Sequence, residues 1–178
     1  MCEACYRALE VTFKVEKLSD VEVLSLYEYN EKLQTLLYNL KALGDIELAD
    51  VFLNRHLPFL KAKYHGYVII PAPSSIEDDK KRGFNHVVKI FKSLNFEILP
   101  LITKKIAFKQ SDLNFKARQE VLNKLVITNG AVLRKRKVLI VDDVKTTGAT
   151  LKAMIALIKP FRPKVMKVLT ISATKQKT

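Results

Sequence analysis

The apolar positions of this chain switch between two periods. Val138, Leu139, Ile140 and Val141 form a short, largely β-branched apolar run. It reads as a strand buried on both faces, as in a parallel sheet. Residues 151–158 instead repeat with a helical period, and Pro160 closes them. Residues 67–70 are a second buried-strand candidate. Pro71 and Pro73 follow, and proline prevents a central strand from continuing. Residues 21–29 alternate well enough for a strand. Asn30 then stands as the cap of a helix whose Leu33, Leu36, Leu37 and Leu40 fall at i, i+3, i+4 and i+7. Gly44 should end that helix, and Asp45 should cap a second one through His56.

Further along, residues 80–86 are expected to open a helix running to about Leu94, followed by a strand over 96–103. Residues 104–113 read as a mobile loop, with a helix containing Phe115, Arg118 and Leu122 after it. Short strands are expected around 125–128 and 164–172. Strands alternating with helices predict an α/β fold, a parallel sheet flanked by helices. Residues 21–178 would form that domain, and residues 1–20 a short N-terminal segment.

Composition narrows the picture. The chain has 178 residues and 48% hydrophobic content, enough for a sizeable core. No apolar run approaches the ~20 residues needed to span a bilayer, and the N-terminus lacks the apolar centre of a signal peptide. A cytoplasmic location is expected. Cys2 and Cys5 form a lone C-x-x-C, half of the four-ligand set a structural zinc needs; they are expected to hold no metal in a monomer. His56 and His65 show no ligand spacing to them.

Charge points to an anionic partner. Net charge is +13, from 31 basic and 18 acidic residues, which suits a phosphorylated ligand or nucleic acid. Basic clusters stand at 80–82, 104–105, 134–137 and along 159–167.

The chemistry concentrates after the apolar run at 138–141. Asp142 and Asp143 come where that strand should end, and Thr146, Thr147, Gly148, Ala149 and Thr150 lead into the helix. Ligands of open α/β sheets bind beyond the carboxyl ends of strands. A helix N-terminus offers unpaired N–H groups, which suit a phosphate. The two carboxylates cannot hold that phosphate; they need hydrogen-bond donors such as sugar hydroxyls or a metal-bound water. A phosphate beside a diol describes a ribose 5-phosphate. Helix capping would explain one acid but not two, and the spacing of a P-loop is absent.

Residues 138–150 resemble the ribose-5-phosphate signature of type I phosphoribosyltransferases. Further segments resemble the ComF branch of that family, linked to competence for DNA uptake. These are residues 29–37 and 40–45, then Pro71, Ala72, Pro73 and Ser74, then Arg82, Gly83, Phe84 and Asn85, then residues 109–113 with Arg118. They occur in family order across about 21–173.

The resemblance implies that Asp142 and Asp143 hold the ribose hydroxyls of phosphoribosyl pyrophosphate and that residues 146–150 wrap its 5-phosphate. Ala72, Pro73, Ser74 and Ser75 would form the pyrophosphate loop. Lys81, Arg82, Lys109 and Arg118 would neutralise the pyrophosphate. Mg²⁺ would arrive with the ligand rather than be bound by the protein alone. The implied activity is that of a glycosyltransferase-class enzyme.

Three positions depart from the family pattern: one C-x-x-C pair is present where two are common, His86 replaces a usual Gln, and Val121 an Asn. Thr146 stands where purine-salvage relatives carry an Asp, so no dedicated general base is expected. The alternative function is a non-catalytic module that holds single-stranded DNA and partners a competence helicase. Arg134, Lys135 and Arg136 are its nucleic-acid candidates.

Overall fold

The structure, a computed structural model, describes Tyr6, residues 9–104 and residues 125–174. Its frame is a five-stranded sheet. Strands β1 (Val11–Leu18), β2 (Val21–Glu28), β3 (Tyr67–Pro71), β6 (Lys137–Lys145) and β7 (Val165–Ala173) lie in the order β1-β2-β7-β6-β3. The β2–β7, β6–β7 and β3–β6 pairs are parallel, as the patterning predicts. β1 adds an antiparallel edge to β2. No strand is expected here from the sequence, although Val11, Phe13 and Val15 alternate with Thr12, Lys14 and Glu16; most of the strand's residues are exposed.

β6 is buried on both faces, as its apolar run requires. Leu139 and Val141 join a core with the helices α1 (Glu31–Ala42), α2 (Leu57–Lys63) and α4 (His86–Phe91). Val138 and Ile140 join a second core with α5 (Ala149–Ile158). A small antiparallel pair, β4 (Ile102–Lys104) with β5 (Leu125–Ile127), covers part of that second face. Alternating side chains of one strand thus anchor both layers, which fixes the strand's register.

Several local expectations change. Asn30 caps α1 as read, accepting from the Leu33 N–H at 3.0 Å. Asp45 makes no side-chain cap, and Ile46–Phe52 is a 3₁₀ segment rather than an α-helix. The basic stretch at 80–86 does not open a helix: it ends α3 (Ile76–Arg82) at Gly83, whose φ is 79°. Asn85 then starts α4. The strand expected over 96–103 shrinks to a bridge at Ile98 and to β4. Lys109, Arg118 and the helix expected near Phe115 lie outside the described residues, as do Cys2 and Cys5. Among the described residues no helix is long and apolar enough to cross a membrane.

Candidate functional site

β3 and β6 run side by side, and the Ala72 N–H donates to the Val141 carbonyl at 2.8 Å just past the paired residues. That bond sets the loop after β3 against the acid pair of β6. Ala72, Pro73, Ser74, Ser75, Arg82, Asp142, Asp143 and Thr150 line one cleft of about 310 Å³. Ligand cleft volumes commonly fall in this range. Residues 146–150 with Asp142 also line a small recess opening beside it. The structure therefore gathers most of the residues singled out from the sequence.

The acid pair does not end its strand. Asp142 pairs with Thr170 within the β6–β7 ladder, and the ladder runs on to Lys145. Each carboxylate bonds locally: Asp142 Oδ1 accepts from the Asp143 N–H at 2.9 Å, and Asp143 Oδ1 from the Val144 N–H at 2.7 Å. Beyond that the two differ. Asp143 Oδ2 contacts Lys41 Nζ from α1 and lies 3.3 Å from His86 Nε2 on α4. Burial pushes the Asp143 carboxyl up, but the His86 and Lys41 contacts outweigh it and hold the group well below the usual carboxylate range. Burial and the neighbouring Asp143 charge push Asp142 the other way, well above that range. Two adjacent carboxylates of which one is strongly paired behave as a coupled site with one ready charge.

The loop after β3 is held by an acid that sequence reasoning passed over. Asp79 accepts from Ser74 Oγ, from Asn85 Nδ2 at 3.0 Å and from the Arg82 guanidinium at 2.8 Å. Arg82 also donates to the Lys41 carbonyl at 3.3 Å. The run Arg82, Gly83, Phe84, Asn85 is thus a strut that fixes Ser74 and links α1 to α3. The spacing of Asp79 to Arg82, i to i+3 on a helix, was the signal for it.

Lys81 does not join the cleft. Consecutive helical residues point ~100° apart, and Lys81 lines a neighbouring groove instead. Lys41, His86 and Lys104 do line the cleft, and none was assigned a role there from sequence.

Gly148, at φ 73°, turns the chain from β6 into α5. No side chain caps α5, so its first N–H groups are open to an anion, apart from the Ala149 N–H that donates to Thr147 Oγ1 at 3.3 Å. β1 braces this turn from behind. Leu18 methyl groups lie 3.3 and 3.4 Å from where a Gly148 Cβ would stand. Glu16 pairs with the buried Lys145 ammonium at 2.9 Å.

A family model described as the phosphoribosyl transferase domain matches residues 80–178. The chain belongs to the phosphoribosyl transferase domain family. Its fold is the α/β arrangement of that family, and the strand–acid pair–turn–helix unit falls inside the match. The chain is similar to the Competence protein ComFC of Streptococcus pneumoniae (strain ATCC BAA-255 / R6), at 29% identity over 147 residues. That alignment covers 83% of this chain and 66% of the relative, so the chain spans just under two thirds of its length. Solved phosphoribosyltransferase structures also match. A purine phosphoribosyltransferase from Pyrococcus horikoshii Ot3 is 22% identical over 71% of this chain and 74% of that one, with TM-score 0.44. A hypoxanthine-guanine phosphoribosyltransferase from Bacillus anthracis is 13% identical over 71% and 69%, with TM-score 0.46.

The opposite shifts of the acid pair predict opposite mutational signs. Asp143 has a folded pKa below its unfolded value, so its charge stabilises the fold above about pH 4 and that gain fades as pH falls further. Asp142 has a folded pKa above its unfolded value, so it costs stability as pH rises past about 4. Near neutral pH, Asp143→Asn should lower stability by about 1–3 kcal/mol. Asp142→Asn should leave it unchanged or raise it. Thermal melts of both variants from acid to neutral pH read the two signs directly; a common sign would refute the assignment.

The brace behind the turn before α5 is testable in the same way. Glu16→Gln leaves the Lys145 ammonium buried without its counter-charge, which should cost about 1–3 kcal/mol in a denaturant melt. Glu16→Gln combined with Lys145→Met should recover part of that loss.

Proposed function

We propose that the chain binds phosphoribosyl pyrophosphate together with Mg²⁺ in the cleft between β3 and β6, and that it acts in DNA uptake, the process to which the ComF branch is linked. The observation that carries this reading is the meeting of three features around one space. The acid pair, the Ser74–Ser75 loop and the open N-terminus of α5 all face it.

In this reading Asp142 and Asp143 accept hydrogen bonds from the ribose hydroxyls. The open N–H groups of α5 and the hydroxyls of Thr146, Thr147 and Thr150 hold the 5-phosphate. Ser74 and Ser75, with the cations Arg82 and Lys41, receive the pyrophosphate. Charge-assisted hydrogen bonds of this kind contribute roughly 1.5–3 kcal/mol each.

Among the described residues no group of three or more acids, histidines or cysteines could hold a metal ion. The donor set still fits Mg²⁺, which commonly binds one or two carboxylates together with ligand phosphates. Asp142 and Asp143 would hold it, and it would supply charge neutralisation for the pyrophosphate. The reaction class is transfer of the ribosyl group, in which positive charge grows on the ribose carbon as pyrophosphate leaves. The chain contributes positioning and the cationic surroundings of the leaving group.

Saturating phosphoribosyl pyrophosphate with Mg²⁺ should stabilise the fold by about 2.7 kcal/mol at one hundred times its Kd, a melting shift of about 5–10 °C. The Asp142→Asn, Asp143→Asn double variant should abolish the shift. No shift in the parent protein would dispose of the reading. A screen of acceptors for pyrophosphate release then separates turnover from binding alone.

A second reading, single-stranded DNA binding in support of a helicase, is favoured by one feature at the far end of β6. Arg134 and Lys135 are exposed there, while Arg136 pairs with Glu97. Backbone bonds from Lys135 to Arg162 and from Lys164 to Arg136 tie this cluster to the basic run at 159–167, giving one surface away from the cleft. Neutralising Arg134 and Lys135 should weaken binding of oligothymidylate and flatten its salt slope by roughly 0.7 for each phosphate no longer neutralised, leaving the ligand-induced melting shift intact. Unchanged affinity at low salt would mean the surface only solvates the protein.

A further inference from the structure

Beside the cleft lies an open groove of about 700 Å³, whose Leu43 and Lys81 the reading above does not use. Its lining comes from two helix ends. Lys41, Ala42, Leu43 and Gly44 form the end of α1, and Asp78, Lys81 and Arg82 face it from α3. Cations outnumber the single acid, and Leu43, 68% exposed, presents an apolar wall next to them. Lys41, Asp78 and Arg82 line both the groove and the cleft, so the two spaces are continuous.

The cations differ in what they are free to do. Arg82 is engaged by Asp79 and by the Lys41 carbonyl, so it gives charge and rigidity more than new hydrogen bonds. Lys41 is engaged by Asp143 on the cleft side. Lys81 is exposed. A lysine is a flexible point charge with three donors, suited to meeting a phosphate. An apolar wall beside such a charge suits the flat face of a heterocycle.

We propose that this groove is a second ligand site, taking a phosphate-bearing, nucleotide-like molecule at the same time as the cleft holds its own ligand. Lys81 meets the phosphate, Leu43 meets the apolar part, and Lys41 stands between the two sites. The proposal rests on the ribose–pyrophosphate reading only for the identity of the neighbour. The phosphate could come from a free nucleotide or from the backbone of a single strand, and both sources share this chemistry.

The test is calorimetric titration of the whole chain with thymidine 5′-monophosphate, thymidine, inorganic phosphate and a short oligothymidylate, each with and without saturating phosphoribosyl pyrophosphate and Mg²⁺. Thymidine 5′-monophosphate should bind in both conditions and at least tenfold more tightly than thymidine. Lys81→Glu should weaken it by about tenfold or more, the size of one missing charge-assisted hydrogen bond. Leu43→Ser should weaken it without changing the binding of inorganic phosphate. Neither variant should alter the melting shift given by phosphoribosyl pyrophosphate.

Tighter binding of oligothymidylate than of the mononucleotide, with the same dependence on Lys81, would make the strand backbone the source; the reverse order would make it a free nucleotide. Competition between thymidine 5′-monophosphate and phosphoribosyl pyrophosphate would overturn the proposal, because the groove would then be an extension of the cleft. Indifference to Lys81→Glu would overturn it too. The failures separate cleanly: absence of phosphoribosyl pyrophosphate binding removes the first reading and leaves the nucleotide result standing on its own.

Discussion

Asp143 carries its charge only because other parts of the chain come to it. An ionised carboxylate with little exposure is expensive unless it is paired and hydrogen-bonded. Here the strand supplies the Val144 N–H, α1 supplies the Lys41 ammonium and α4 supplies the His86 ring. Those contacts lie in a sheet strand and in two helices on one of its faces, so this carboxylate ties the helical layer to the C-terminal end of β6. The same pairing leaves Asp142 as the partner that burial and repulsion push toward the neutral form. A ligand that brings its own cation or hydroxyl donors would meet one charged acid and one that can still be recruited.

A second acid performs the matching task for the loop after β3. Asp79 gathers Ser74, Arg82 and Asn85, and Arg82 reaches on to the Lys41 carbonyl. The chain of contacts therefore runs from the loop through α3 to α1 and returns through Lys41 to Asp143. Local opening of any one member would loosen the others, since coupled polar networks are rarely additive. This gives a physical reason for the short run between two helices, which does not touch the acid pair: its Arg and Asn are internal ties.

The sequence was most informative where burial and backbone geometry act together. The two-sided apolar run of β6, the Gly148 turn and α5 could be read from the period change and the punctuation alone. Ser74 and Ser75 lie on the cleft, just past the proline that ends β3. What could not be read depended on side chains meeting across the chain. Lys41 sits in a helix whose apolar stripe draws attention to its other face, and nothing local says that its ammonium reaches an acid more than a hundred residues later. Lys81 and Arg82 look equivalent in sequence, yet both line the groove and only Arg82 also reaches the cleft. β1 carries a short alternation of Val11, Phe13 and Val15 with Thr12, Lys14 and Glu16, yet Val11 and Val15 stay exposed at the sheet edge, so the pattern marks no buried face.

That edge strand braces the turn before α5 from the side away from the cleft. A glycine at positive φ lets the chain bend into α5, but it also leaves the turn cheap to deform. Leu18 packs against Gly148 where a side chain would otherwise be, and Glu16 neutralises the Lys145 ammonium just before the threonines. The turn is thus pinned on its inner side by apolar contact and charge, while its outer side keeps hydroxyls and N–H groups open. Preorganisation of this kind lowers the entropy that any ligand of the turn must offset on binding. It also gives the first strand a place in the site, although none of its side chains lines the cleft.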